Sequence, residues 1–550
     1  MNLEGVFVES DDEANSLSSA HGTTSLEALG SYNTLDFVVR LRPDLHHVLE
    51  SQGGELSMRE CKSWDAAQAF STYLHETIHW WQHAGTSAGL MLSFLQPAHA
   101  HMNRNRLNEV LEKHGAVKPL LSLAEKLLDD DDGQDAALNI VLNNWHDLEF
   151  FRKLVINPVE LVASVTENPY FMSVGHSYRM AIGATSWLIA ATVDPNYEML
   201  PHPIKWEVAM DELRTSKVKG FYLGSPVDVP PIGARDIFEG QARFSQLQYL
   251  FGASGGRLSW EDIRGRGMLK GVYGRAFELF LDSVGEEWPA TVDDPIVGLF
   301  LLICDVALSP SEGLFLPMTD PSALIWSTDP AWRFLFLCVC AKNEGDDFKR
   351  SIITYSSEEY WKVSQRLSDL ILSPSPKQLA EAVVHYADEH PGWNVLVEED
   401  RTFQYAAGNF PIRVLIGRFT QIQRDKLAAP QFFCWPGMCM TSFRQALDTE
   451  TVEALFGEHA AIFLNRADLD VYPRAAPGKD EVTLQRLLDD FYIWVSIYEM
   501  TRQWLVDDGP FEYDYHWLTS KFSSSTIKEW VDKHFQLSTG VHPDAFTILR

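Results

Sequence analysis

Apolar and polar positions recur along most of this chain with the period of an α-helix. The clearest stretch follows Ser63, where neither proline nor glycine occurs before Gly85. Two stripes run side by side there, an apolar one of Phe70, Leu74, Ile78 and Trp81 and a polar one of Gln68, Thr72, His75, His79 and His83. Residues three or four apart share one face of a helix. The pattern predicts a helix over residues 64–95, punctuated near Gly85 and Gly89, with one face in the core and the other lining a cleft.

The start of this helix has its own signals. Ser63 is a candidate N-cap, because a serine hydroxyl can accept a hydrogen bond from a free backbone N–H of the first turn. Asp65 would lie in that first turn, near the positive end of the helix dipole. Both residues therefore favour a helix that begins at position 64.

The same periodicity predicts helices through the rest of the chain. They are expected at residues 104–113, 119–129, 136–155, from 158 onward, and at 234–250, 297–308, 332–341, 358–372, 376–389, 451–464 and 484–507. Short strands are expected at residues 35–41 and 221–223. The sequence thus predicts a mainly α fold with a small β component.

Composition limits the classes of partner. The chain has 45 Lys and Arg against 76 Asp and Glu, a formal net charge of -31. Nucleic acid is not expected as a partner, because a polyanion binds to a basic face. The acidity is expected mainly to keep the protein soluble.

Cysteines and apolar runs limit the compartment. The six cysteines, Cys61, Cys304, Cys338, Cys340, Cys434 and Cys439, are scattered and lack the spacing of zinc ribbons. They are interpreted as buried thiols rather than a disulfide framework. No basic and apolar leader is visible at the N-terminus, and no apolar run approaches the roughly 18 residues of a membrane span. We expect a cytoplasmic protein that does not enter a membrane.

The polar stripe contains the motif H-E-x-x-H, as His75-Glu76-Thr77-Ile78-His79. On a helix, residues four apart have Cβ atoms about 5–6 Å apart, so His75 and His79 can bind one zinc ion. Glu76 lies about 100° further round the helix, where it could accept a proton from an activated water molecule as a general base. His83 continues the stripe, but ligands at i and i+8 would be about 12 Å apart. A supporting or packing role is therefore expected for His83.

A catalytic zinc usually has three protein ligands, and the first candidate for the third is Glu239 in Glu239-Gly240-Gln241-Ala242. With this E-G-x-A segment, the sequence resembles the gluzincin branch of the zincin metallopeptidases, which includes thermolysin-like and aminopeptidase-like enzymes. The resemblance implies a Zn²⁺ ion held by His75, His79 and Glu239. Small Gly240 and Ala242 would let the two helices approach closely. The resemblance covers only these two helices, and Glu239 lies 160 positions after His79, a much longer separation than in many gluzincins.

Other assignments stay open at the level of sequence. Glu160 is the second candidate for the third ligand and His176 is another. Glu239 could instead pair with Arg235 or Arg243, each four positions away. The candidates for stabilising an oxyanion are Tyr170, His176, Tyr178 and Arg243, and the sequence does not choose among them.

Two further classes of metal protein use part of this motif. The metzincin motif would require glycine at position 82 and histidine at position 85, where the chain has Gln82 and Gly85. Glu76 and His79 also form a Glu-x-x-His unit of the kind used by di-iron carboxylate bundles, but those proteins need a second such unit. None is found elsewhere in the chain. Both classes are therefore less favoured than zinc in a gluzincin-like site.

The resulting hypothesis divides the chain into three parts. Residues 1–30 are expected to be an acidic flexible tail, residues 31–290 a zincin-like metal-binding domain, and residues 291–550 a helical C-terminal domain that could bind a protein partner. The expected function is a zinc metallopeptidase acting on a protein or peptide substrate, with Glu76 as the base. The alternatives are a zinc-stabilised binding or effector module without peptidase activity, and a zincin-like hydrolase of another substrate class.

Overall fold

The structure is a computed structural model that describes residues 30–32, 37–51, 63–129, 135–441, 443–444, 446–476, 478–515, 518–519 and 521–549. The predicted acidic tail, apart from Gly30, lies outside the described residues, as does Cys61. All statements below concern the described part of the chain.

The protein is mainly helical, with 68% helix and 3% strand, which confirms the predicted fold class at that level. The first helices are α1 (Pro43–Ser51), α2 (Trp64–Gly85), α3 (Ser87–Met102), α4 (Arg104–His114), α5 (Leu120–Asp129), α6 (Ala136–Ile156), α7 (Pro158–Thr166), α8 (Val174–Val193), α9 (Ile204–Thr215), α10 (Ala234–Ala253), α11 (Trp260–Gly265) and α12 (Val272–Val284). The others are α13 (Pro295–Ala307), α14 (Leu324–Thr328), α15 (Pro330–Glu344), α16 (Asp346–Lys349), α17 (Ser357–Leu370), α18 (Pro376–Glu389), α19 (Pro391–Thr402), α20 (Phe410–Ala428), α21 (Pro430–Cys434), α22 (Pro436–Cys439), α23 (Thr449–His459), α24 (Glu481–Val506) and α25 (Ser524–Thr539).

The strands form two small sheets. They are β1 (Gly30–Tyr32), β2 (Val38–Leu41), β3 (Val117–Lys118), β4 (Phe463–Asn465), β5 (Val471–Pro473) and β6 (Thr547–Ile548). One sheet has the order β1-β2-β4-β5, with β2 and β4 parallel, and the other pairs β3 with β6 in parallel. Both parallel pairs join segments from opposite ends of the chain. The predicted division at residue 290 stays a prediction, although β-pairing links residues on its two sides.

Helix α2 begins as its sequence predicts. The Ser63 hydroxyl accepts a hydrogen bond from the Ala66 backbone N–H at 3.2 Å, and Asp65 lies in the first turn. The helix ends where the chain turns extended at Thr86, whose hydroxyl donates to the Gln82 carbonyl at 2.6 Å and accepts from the Gly89 N–H at 3.1 Å. One threonine thus ends α2 and caps α3, which confirms the predicted break in this region.

Helix α2 is buried on both of its stripes. It packs against α10, α3 and α20. Trp80 and Trp81 donate their indole N–H groups to the His459 carbonyl at the end of α23, at 3.1 and 2.7 Å. Gln423 of α20 donates to the Gly85 carbonyl at 2.8 Å. These bonds hold the apolar side and the C-terminal end of α2 against the C-terminal half of the chain.

Two sequence expectations for secondary structure are wrong. Residues 221–223 form a turn, in which the Phe221 N–H bonds to the Val218 carbonyl at 3.1 Å. Phe221 packs against Gly175 at the start of α8, so its apolar character serves packing rather than strand pairing. The helix predicted over 451–464 ends at His459, and Phe463–Asn465 is strand β4. Pairing with β2 overrides the helical period there.

The interpretation of the cysteines as buried thiols is confirmed for Cys304, Cys338, Cys434 and Cys439, while Cys340 is partly exposed. Burial raises the pKa of the Cys304, Cys338 and Cys434 thiols well above the usual value. These groups therefore stay protonated and pack as small apolar side chains. Among the described residues, no helix is both long enough and apolar enough to cross a lipid bilayer.

The tight contact between α2 and α3 gives a test of the fold. A Cβ at Gly89 would lie 2.0 Å from the Gln82 carbonyl oxygen. We expect Gly89→Ala to lower the free energy of unfolding by about 1–3 kcal/mol, because the backbone of α2 or α3 must shift. The measurement is denaturant unfolding followed by circular dichroism.

Gly183, inside α8, is the matched control, because a Cβ there meets nothing within 4 Å. Gly183→Ala should leave stability unchanged or raise it by about 0.4–1 kcal/mol through the smaller entropy of the unfolded chain. Equal effects of the two substitutions would contradict the tight contact at Gly89.

Candidate metal centre

The candidate centre lies where α2 and α10 pack against each other. His75 and His79 point from α2, and Glu239 points from α10. His75 Nε2 and His79 Nε2 are 3.1 Å apart, and Glu239 Oε2 lies 3.4 Å from the first and 3.3 Å from the second. The two histidines of the motif and the first candidate for the third ligand are therefore brought together.

The triangle formed by these three atoms fits one face of a tetrahedral zinc site. With metal–ligand bonds of about 2.0–2.1 Å, neighbouring ligand atoms in a tetrahedron are about 3.3 Å apart. The three edges, at 3.1, 3.3 and 3.4 Å, match that spacing. The donor set of two imidazoles and one carboxylate is also one that catalytic zinc sites use.

Burial differs around the centre. The side chains of His75 and His79 are 7% and 10% exposed, whereas that of Glu239 is 22% exposed. Helix α10 thus covers the polar stripe of α2. The stripe does not line an open cleft along its length, in contrast to the expectation from the sequence. Glu239 is thus the most exposed of the three candidate ligands.

The two histidines differ in protonation. Burial, together with the charges of His79 and Arg243, lowers the pKa of His75 to about 3. Burial also opposes the charge on His79, but the carboxylate of Glu239 outweighs it and raises the pKa of His79 to about 9. The His75–His79 pair therefore carries one positive charge at neutral pH, on His79. Glu239 is ionised, because the histidines hold its pKa well below the usual value despite burial.

Other residues from α2 surround the ligands. Glu76 is buried, 6% exposed, and its charge contributes to the raised pKa of His79. His83 is buried against the Phe238 ring, with its Nδ1 atom 2.9 Å from the His79 carbonyl oxygen. Burial lowers the pKa of His83 to about 4, so its ring is neutral. Its place beside the ligands agrees with a supporting role.

Helix α10 also carries Arg243, one turn after Glu239. Arg243 is 3% exposed, and its guanidinium carbon lies 4.0 Å from the centre of the Tyr273 ring. The Tyr273 ring centre is in turn 6.1 Å from that of His75. A buried cation and an aromatic ring therefore stand beside the ligand histidines, and the tyrosine had no sequence signal.

The remaining candidates from the sequence lie elsewhere in the structure. Glu160 is exposed and accepts a hydrogen bond from Asn157 Nδ2 at 2.6 Å. His176 Nε2 is 3.1 Å from Asp147 Oδ2, and the Tyr178 hydroxyl donates to Asp329 in the core. The Tyr170 ring stacks on His146 at 4.3 Å. These side chains have partners away from the three ligand atoms.

Gly240 has a different role from the expected one. A Cβ there would meet Ala276 of α12 and Phe300 of α13, each at 3.3 Å. Its small size therefore permits close packing of α10 on α12 and α13, on the side away from Glu239. The expectation that Gly240 brings α10 close to α2 is wrong.

A second group of possible donors occurs near the C-terminus, formed by Asp532, His542 and Asp544. Lys528 Nζ lies 2.5 Å from Asp532 and 3.1 Å from Asp544, so an ammonium group already pairs with both carboxylates. This group is therefore an ion-pair cluster rather than a metal centre.

Comparison with known proteins gives no assignment, because no family model, curated protein or solved structure matches the chain. The geometry of the centre is therefore the basis for a functional assignment.

Zinc content tests the ligand set. We expect the purified protein to hold about one zinc ion per chain and both His79→Ala and Glu239→Ala to lose it, since two remaining ligands bind weakly. Elemental analysis after dialysis against metal-free buffer measures this. Glu160→Ala is the matched control and should keep its zinc. Retention of zinc by Glu239→Ala would remove that residue from the centre.

The pH dependence of binding tests the protonation state. Zinc must displace the proton that makes His79 a cation, because the pKa of His79 is about 9. At neutral pH His75 is already neutral and Glu239 already ionised, so neither has to lose an ionising proton. We therefore expect release of about one proton from His79 per zinc bound between pH 7 and 8, to which ionisation of zinc-bound water adds, and tighter binding as pH rises towards 9. Calorimetry in buffers of different ionisation enthalpy counts the protons. Release of no proton would contradict the assignment.

Proposed function

We propose that this protein is a zinc-dependent hydrolase that cleaves a peptide bond in a protein or peptide substrate. The observation that carries the proposal is the convergence of Glu239 with His75 and His79, although 160 positions separate Glu239 from the motif. A chance H-E-x-x-H segment gives no reason for a carboxylate to approach both imidazoles from another helix.

The number of ligands favours catalysis over a structural role. Structural zinc sites are usually closed by four protein ligands, whereas catalytic sites keep one position open. In the described part of the chain, the donor group at this centre has three members, and one of them, Glu239, is partly exposed. These features support a hydrolase more than a zinc-stabilised binding or effector module.

The proposed roles follow from position. His75, His79 and Glu239 would hold the ion, and a zinc ion there supplies a Lewis acid for a carbonyl and for water. Glu76, next to His75 on α2, accepts the proton of the attacking water and later donates it to the leaving amine. His75 and His79, the neighbours of Glu76 on α2, are buried, and this burial restricts the access of bulk water to the centre.

Arg243 is the best placed of the four candidates for oxyanion stabilisation. It is buried, its charge lowers the pKa of His75, and it lies one turn from Glu239 on α10. A fixed positive charge near the reacting carbonyl stabilises the oxyanion that develops during attack. His176, Tyr178 and Tyr170 have partners elsewhere, as described above.

The choice of a peptide substrate depends on the resemblance of the two helices to gluzincins. A mixed peptide library analysed by mass spectrometry is the first assay for activity.

The role of Glu76 gives the decisive test. Glu76→Gln keeps the size of the side chain but removes the base, so we expect hydrolysis to fall by about 10²–10⁴-fold while zinc content stays unchanged. Both are measured on the same preparation, by peptide cleavage and elemental analysis. Glu160→Gln, an exposed glutamate on α7, is the control and should keep full activity.

Full activity of Glu76→Gln would remove Glu76 as the base. If the wild-type protein binds zinc but cleaves no peptide in the library, and chelation only lowers its melting temperature, the binding-module alternative would replace the hydrolase.

A further inference from the structure

The carboxamide of Gln82 lies between the two ligand helices. Gln82 is 2% exposed and sits one turn after His79 on α2. Its Oε1 atom is 2.8 Å from His79 Nδ1, and its Nε2 atom is 2.9 Å from the Phe238 carbonyl oxygen and 2.8 Å from Gln241 Oε1. One side chain thus contacts a candidate ligand on α2 and two positions that flank Glu239 on α10.

The partners of Gln82 fix which way its amide points. The Phe238 carbonyl can only accept a hydrogen bond, so the NH₂ group must face it. The opposite orientation would place the Gln82 oxygen against that carbonyl oxygen. The Gln82 oxygen therefore faces His79 and accepts a hydrogen bond from it.

The orientation of Gln82 in turn fixes the tautomer of His79. Because Gln82 accepts, His79 Nδ1 must carry a hydrogen, and in the neutral ring Nε2 then has the free lone pair. It is Nε2 of His79 that faces Glu239 Oε2 and His75 Nε2. The bond to Gln82 thus presents the nitrogen that a metal needs.

The two ligand histidines are not equivalent in this respect. His75 Nδ1 is buried, and no hydrogen-bond partner for it exists among the described residues. Only His79 has a support of this kind at its second nitrogen. Without Gln82, neither imidazole of the pair would have a hydrogen bond at Nδ1 that fixes its tautomer and orientation.

We propose that Gln82 is a positioning residue for the metal centre, which holds His79 in the Nδ1–H tautomer and ties its orientation to the backbone that carries Glu239. The proposal rests on the proposed metal site but not on peptidase activity. The Gln82 carboxamide thereby sets the alignment of α2 relative to α10 at the metal centre. Supporting partners of this kind commonly change metal affinity by about 10–100-fold.

The experiment compares Gln82→Met with Gln68→Met. Methionine keeps the length of the side chain and removes the amide in both variants. Gln68 is on the same stripe of α2, is 9% exposed, and its amide has no hydrogen-bond partner among the described residues. Its replacement should therefore cost no hydrogen bond.

Zinc affinity is measured by competition with a chelator, and the visible absorption of the Co²⁺-loaded protein reports the ligand geometry. We expect Gln82→Met to weaken zinc binding by about 10–100-fold and to alter the Co²⁺ spectrum. Gln68→Met should change affinity less than about twofold and keep the wild-type spectrum. Wild-type affinity and spectrum in Gln82→Met, or equal losses in both variants, would overturn the proposal.

A second measurement needs no variant at position 82. Nitrogen-15 NMR of histidine-labelled, zinc-loaded wild-type protein, with the His79 signal assigned by correlation to its own backbone, reports which ring nitrogen of His79 carries hydrogen. We expect a protonated Nδ1, and an unprotonated Nδ1 would overturn the proposal even if Gln82→Met failed to fold. If the wild-type protein bound no zinc or cobalt, both proposals would fall. If it bound zinc without hydrolysing peptides, only the proposed function would fall.

Discussion

The contact between α2 and α10 is the constraint on which the candidate site depends. His75 and His79 are held one helical turn apart by the backbone of α2, but the third ligand atom is supplied only if α10 stays in register beside it. Bonds along the interface maintain that register, from Gln82 with Phe238 and Gln241 at one end to Gln246 with Ser71 at 3.1 Å at the other. These contacts flank the candidate ligands along the interface. They therefore fix where His75, His79 and Glu239 meet.

Such a polar interface is costly to bury. An ionised carboxylate and two imidazoles inside the protein require compensation, because burial removes their hydration. Glu239 obtains it from the positive charge of protonated His79, and the carboxylate of Glu239 in turn raises the pKa of His79 to about 9. The carboxylate of Glu239 and the protonated imidazole of His79 thus compensate each other's buried charge.

Features encoded locally could be predicted from the sequence. The capping of α2 by Ser63, the helical period through Trp81 and the facing pair of histidines depend on residues within a few turns of each other, where periodicity and propensity act. Glu239 could be predicted only through its motif, because its approach to α2 depends on the path of the intervening helices. Gln82 appeared in the sequence only as the residue that breaks a metzincin pattern.

Features that depend on tertiary packing were missed or misread for a physical reason. The polar stripe indicated an open cleft, but α10 brings its own polar residues and covers most of it. Gly240 faces α12 and α13 rather than α2, and no local signal tells which side of a buried helix a glycine will face. Strand β4 was assigned to a helix because its partner β2 is more than 400 positions away in the sequence. Tertiary pairing decides the conformation of so short a segment.

The strength of the metal hypothesis lies in independent constraints that agree. Periodicity requires that His75 and His79 share a face, and it says nothing about Glu239. The separation of the ligand atoms depends on the packing of two distant helices, and the orientation of Gln82 depends on the acceptors of α10. A structural histidine pair would need none of these to coincide. Because Nε2 of His79, Nε2 of His75 and the carboxylate of Glu239 converge on one point, binding of a divalent cation in exchange for the proton on His79 is the simplest chemistry that uses all three.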